Sequence, residues 1–179
     1  MSAQEFRPGP WSGEPYCVQQ FYDRVADSSR TVAVLPPSPR RFGLGSRVSL
    51  DLSYTYPGRR LTAPPEWVTI SLESFTPARG GWAFARPRPL EVRSVKAWTL
   101  KVSPAEYRKQ PVHLFDSGRR ERLSFRVATP AFLMLAAEPE LSLKVGPAVM
   151  RLRGRRMELL RLMAHRLRPG ATDGGRACD

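Results

Sequence analysis

Histidine and cysteine are scarce in this chain, with two of each in 179 residues, and lysine is confined to Lys96, Lys101, Lys109 and Lys144. Each scarcity closes off a kind of chemistry. Cys17 and Cys178 stand near opposite ends, and a chain of this length with 41% hydrophobic residues does not need a covalent staple, so both are read as free thiols. No C-x-x-C, H-E-x-x-H or acidic calcium loop occurs, and no metal site or cofactor is expected. Gly43-Leu44-Gly45 lacks the third glycine of a dinucleotide loop, and no Gly-Lys-Ser/Thr follows a glycine-rich run. Apolar runs stay far short of the roughly eighteen residues that a membrane-crossing helix needs. Residues 1–15, with Pro8, Gly9, Pro10, Gly13 and Pro15, contain no apolar signal core, which predicts a cytoplasmic protein, peripheral to a membrane where it meets one.

Catalytic groups are equally thin. His165 sits among arginines at the end of an amphipathic stretch, where a helix C-terminus favours it. His113 has Asp116 three residues on, a spacing that can orient a base, but no nucleophile turn of the G-x-S-x-G kind accompanies it. Hydrogen-bonded structural histidines are the expectation in both cases. Asp51, Glu66, Glu73 and Glu91 fall on alternating stretches or their ends, with nothing to pair them. The chain is therefore read as non-enzymatic, with no small-molecule substrate in evidence.

What the chain does have is arginine. Lys plus Arg number 29 against 16 Asp plus Glu, for a net charge of +13. Arginine filling ordinary surface positions accounts for much of it, but a charge this large attracts polyanions at low salt. Arg151, Arg153, Arg155, Arg156, Arg161 and Arg168 crowd the C-terminal region beside one acid, Glu158, and form the candidate surface for a partner or polyanion. A protein partner within a larger assembly is the first expectation. An anionic membrane surface and nucleic acid are the others. Nucleic acid would call for stacking aromatics near the charge, with Trp82, Phe84 and Trp98 as candidates, although their alternation suits a core face as well.

Alternation dominates the rest. Val48, Leu50, Leu52, Tyr54 and Tyr56 point one way and Ser49, Asp51, Ser53 and Thr55 the other. Trp67–Phe75 repeats the pattern, and the two are expected at the centre of a sheet. Further strands are predicted at Thr31–Leu35, Trp82–Ala85, Leu90–Val95, Ala97–Val102, Val112–Phe115, Leu123–Val127 and the hairpin Leu141–Leu152 around Gly146-Pro147. Short strands at near-ten-residue intervals, each with one apolar face, predict a mainly β fold, an antiparallel β-sandwich or open barrel. Helices are expected at residues 16–26, where Val18, Phe21, Tyr22 and Val25 fall at helical spacing, and at Ala131–Ala137 behind Thr129 as cap and Pro130. Ser103 and Glu106 predict one further helical turn before Pro111. Arg155–Arg168 is expected to be an amphipathic helix whose stripe of Met157, Leu160, Met163 and Leu167 packs on the adjacent hairpin sheet. The expected organisation is a Pro/Gly/Arg-rich arm with a short helix over 1–46, a β-rich domain over 47–168 and a tail over 169–179.

Overall fold

A computed structural model describes residues 18–35, 47–77, 82–96, 98–112 and 118–170. Ten strands, β1 (Val18–Asp23), β2 (Ser28–Leu35), β3 (Arg47–Pro57), β4 (Trp67–Pro77), β5 (Leu90–Ser94), β6 (Thr99–Val102), β7 (Glu106–Val112), β8 (Gly118–Ala128), β9 (Leu141–Val145) and β10 (Ala148–Leu152), and two helices, α1 (Thr129–Ala137) and α2 (Arg155–Arg166), lie within these residues. The strands form a six-stranded sheet in the order β1-β2-β3-β4-β8-β7 and a four-stranded sheet in the order β10-β9-β5-β6. Every pairing is antiparallel. No pairing joins the two sheets among the described residues, so the sandwich stays open.

Period-two patterning decides which side of each strand is buried. β4 and β8 pair over eleven residues, from Trp67 opposite Ala128 to Pro77 opposite Gly118. Their inner side carries Val68, Ile70 and Leu72 against Leu123, Phe125 and Val127, all buried. The inner faces of both sheets and the buried faces of both helices feed one apolar core. As the alternation predicts, β3 and β4 are the two central strands of the larger sheet.

Four local expectations are corrected. Residues 18–23 form a strand rather than a helix: Phe21 is 41% exposed and Val25, in the following turn, 98%. The apparent helical stripe is thus an accident of a strand running into a turn, where the Asp23 carboxylate accepts from the Val25 and Ala26 N–H groups at 2.8 and 3.2 Å. Because β2 lies between β1 and β3, residues 18–35 belong to the sheet and not to an arm. Glu106 opens β7 instead of completing a helical turn; β7 is an edge strand, which is why Pro111 is tolerated in it. Trp82–Ala85 is a loop that buries Phe84.

Helix α2 buries Met157, Leu160 and Met163, with Leu159 and the following Leu167. Its principal neighbours are α1, β1 and β2, not the adjacent hairpin. The Tyr54 hydroxyl donates to the Arg166 carbonyl at 3.1 Å, and the Arg166 guanidinium reaches the Val18 carbonyl at 3.5 Å. Thr129 does not cap α1 through its side chain; its hydroxyl donates to the Pro65 carbonyl and its N–H to Glu66 O at 3.0 Å, pinning the helix start to the loop before β4. Cys17, Cys178, Gly43–Gly45, Ala97, His113, Asp116 and residues 171–179 lie outside the described residues.

Candidate binding surfaces

The outer face of the four-stranded sheet carries four cations and one carboxylate. Its register places side chains in two rows. Val149, Lys144, Glu91 and Lys101 form one; Arg151, Ser142, Arg93 and Thr99 form the other. Neighbours in a row stand about 5 Å apart, inside the screening length of about 8 Å at physiological salt. The face thus carries four cations and one carboxylate, Glu91, which lies 3.2 Å from Arg93 and 3.8 Å from Lys101. Arg93 is 58% exposed and Lys101 67%.

Of the arginines expected at a binding surface, Arg151 lies in this face, and exposed Arg153 and Arg155 follow it into α2. Half-buried Arg156 donates to the Arg151 carbonyl at 3.2 Å. Arg161 turns elsewhere: its guanidinium donates to the Glu138 carbonyl at 3.0 Å, tying α2 to the end of α1. Arg168 stands beyond the far end of α2, about 18 Å along its axis. The structure thus ties Arg156 to Arg151, keeps exposed Arg153 and Arg155 between them in the chain, and leaves Arg161 and Arg168 apart. Arg93, Lys101 and Lys144 were missed. The Gly146-Pro147 turn announces the pairing of Lys144 with Val149, but no local signal announces that β5 lies on the other side of β9.

The outer face of the larger sheet uses its charges differently. Arg30 and Arg122 reach Ser53 and Ser71 at 3.4 Å each, and the hydroxyls of Ser71 and Ser124 meet at 3.0 Å. These three serines are buried on a face that no other layer of the described chain covers. Asp51, between Val34 and Ser71 in the register, has no ion pair within 4.0 Å among the described residues, and its buried Oδ1 has no hydrogen-bond partner there. Burial pushes its carboxyl up to about 6, with Glu73 adding to the push and Arg122 and Arg30 opposing it. Burial and the nearby Arg122 charge hold Arg30 below the usual guanidinium range.

Two buried carboxylates fix loops instead of meeting solvent. Glu121, on the inner side of β8, accepts from the N–H groups of Phe84 and Ala85 at 3.0 and 3.1 Å and from the Tyr107 hydroxyl at 2.6 Å. It thereby holds the turn in which Ala85 adopts φ 60°, a conformation unusual for a residue with a Cβ. Burial, then the bond to Glu121, raises the Tyr107 phenol well above its ordinary value. Glu138 accepts from Ser94 at 2.5 Å and from the Trp98 indole at 3.3 Å, with Lys96 at 3.5 Å. The Ser94 hydroxyl, with Trp98 and Lys96, keeps its carboxyl below the usual range despite burial.

The aromatics considered for base stacking lie away from the basic face. Phe84 is in the core, Trp98 bonds Glu138, and Trp82 lies under Lys109 and Arg119 at 5.0 and 5.4 Å. Among the described residues no group of three or more His, Cys, Asp or Glu side chains is placed to hold a metal ion. No helix among them is long and apolar enough to cross a membrane. No family model matches the chain, and neither the curated proteins nor the solved structures contain a match to it.

Proposed function

We propose that this chain is a non-enzymatic binding subunit that presents the basic outer face of its four-stranded sheet to an acidic macromolecular partner within a larger assembly. The observation that carries this reading is the pair of rows that holds Lys144, Lys101, Arg93 and Arg151 with a single carboxylate. Their side chains cover no other layer of the described chain. A protein partner is favoured over nucleic acid because the three aromatics expected to stack on bases are committed elsewhere.

The test is binding of polyglutamate by the wild-type chain and by two charge-reversal variants, Arg93→Glu/Lys144→Glu on the small sheet and Arg108→Glu/Arg126→Glu on the large one. The first should weaken binding at least tenfold, a loss of about 1.4 kcal/mol, and flatten its dependence on salt. The second should change it much less. Equal effects from the two variants would show that net charge, not this face, does the binding. Tighter binding of duplex DNA than of polyglutamate, lost in the first variant, would move the reading to nucleic acid.

A further inference from the structure

The basic face ends at β10, an edge strand, and the geometry of that edge narrows the kind of partner; the inference rests on the reading of the face as a binding surface. Val145-Gly146-Pro147-Ala148 is a hairpin with a two-residue loop. Its flanking residues form a hydrogen-bonded pair, and bonded and non-bonded pairs then alternate along β9 and β10. In the observed register Ala148, Met150 and Leu152 turn their N–H and C=O groups toward β9, while Val149 and Arg151 turn theirs away. The Arg151 carbonyl is accordingly the one that Arg156 can reach, at 3.2 Å. No further strand pairs with β10 among the described residues.

The two sides of this edge differ. On the outer side Val149 is 45% exposed, beside Lys144 across the pair and Arg151 two residues on. On the inner side Ala148 and the buried Met150 of β10 line a small apolar void of about 10 Å³ between the sheets, with Val48, Leu72, Phe84, Leu143 and Val145. At the hairpin end the Arg88 side chain lies across Gly146, and its buried Nε has no hydrogen-bond partner among the described residues.

We propose that β10 receives an extended acidic segment of a partner protein as an added strand. Its acidic side chains would lie over Lys144 and Arg151, and the alternate apolar ones would turn to the inner side of the edge, beside Ala148. Main-chain bonds to Val149 and Arg151 supply affinity, and the two unlike sides supply selectivity for acidic/apolar alternation. Charge complementarity chooses this occupant over a second copy of the chain, whose own edge carries the same cations. Arg156 guards the edge against indiscriminate pairing and gives up the Arg151 carbonyl when the segment docks.

The probes are two synthetic ten-residue peptides of one composition, one alternating Glu and Val, the other with the glutamates and valines in separate blocks. The alternating peptide should bind about tenfold more tightly. It should also slow amide exchange at Val149 and Arg151 in the wild-type chain by a similar factor. Val149→Pro removes an outward N–H without touching the ladder to β9 and should lose that tenfold advantage, with unchanged thermal melting showing that it folds. If both peptides bind alike, the two amides are unaffected and Lys144→Glu still weakens both, strand addition is wrong and the basic face stands. If Lys144→Glu also changes nothing, both readings fall. Binding of duplex RNA in preference to either peptide, undiminished by Val149→Pro, overturns the inference as well.

Discussion

Arg30 and Arg122 on the larger sheet and Arg93 on the smaller one are put to different uses. On the larger sheet Arg30 and Arg122 reach across the outer face to serines that are almost wholly buried, with Asp51 among them. Those arginines act as a lid over polar groups that water would otherwise reach. On the smaller sheet Arg93 and Lys101 stand more than half exposed and share one carboxylate. An arginine count cannot distinguish these roles. What separates them is the row beneath the guanidinium, whether it holds a buried polar group that needs covering or a second cation that does not.

Asp51 offers the largest perturbation. Its carboxyl rises from an ordinary 3.8 to about 6 in the folded chain, so the folded state keeps its proton at pH values where the unfolded state has lost it. Stability contributed at this site is thus lost as pH rises from about 4 to 6 and stays lost above that. The shift corresponds to a penalty of up to about 3 kcal/mol at neutral pH. Asp51→Asn should exceed the wild type in stability at pH 7.5 by up to that amount, with the gap closing by pH 4. Urea denaturation at the two values measures it. A variant no more stable than wild type at pH 7.5 would mean that the arginines already neutralise the carboxylate.

Arg122→Ala is expected to act on the same group with a smaller, opposite effect. Arg122 is the largest favourable charge on Asp51, and removing it should destabilise the chain at neutral pH by about 1 kcal/mol. The pH at which stability levels off should move above 6. In the Asp51→Asn background much of that cost should vanish, and a double-mutant cycle isolates the coupling. Additive effects would show that Arg122 covers the serines without engaging Asp51.

Legibility from sequence divided along similar lines. The alternation in β3, β4, β8, β9 and β10 was readable because each strand carries polar side chains on one face and apolar ones on the other, and the helical spacing of Met157, Leu160 and Met163 identified the buried stripe of α2. The strand at residues 18–23 was not, because Val18, Phe21, Tyr22 and Val25 satisfy a helical period while Val18, Gln20 and Tyr22 satisfy a strand period, and only pairing with β2 chooses between them. The docking of α2 on α1, β1 and β2 depends on β2 entering the sheet, which the prolines that follow it obscured. Within the candidate surface Arg151 and Arg153 were legible as a local cluster. Arg93 and Lys101, on strands that pair with each other locally, join them through the β5–β9 pairing, and cross-strand register between segments some fifty residues apart leaves no mark in local composition.

Arg93→Ala/Lys144→Ala should change stability least, by no more than about 0.5 kcal/mol. The exposed Arg93–Glu91 pair contributes little, since surface ion pairs are worth about 0–1 kcal/mol, and removing Lys144 relieves repulsion on the same face. Wild type should in turn gain slightly when salt screens these cations, while the double variant should not. Chemical denaturation at low and high salt checks both statements. Suppose the double variant loses as much as Arg122→Ala. Then the smaller sheet's cations are also covering something their own fold requires, the contrast between the faces disappears, and these residues have no surplus charge left to offer an acidic partner. A null effect on stability, joined to a large one on polyglutamate binding, is the combination that distinguishes cations kept for recognition from cations spent on folding.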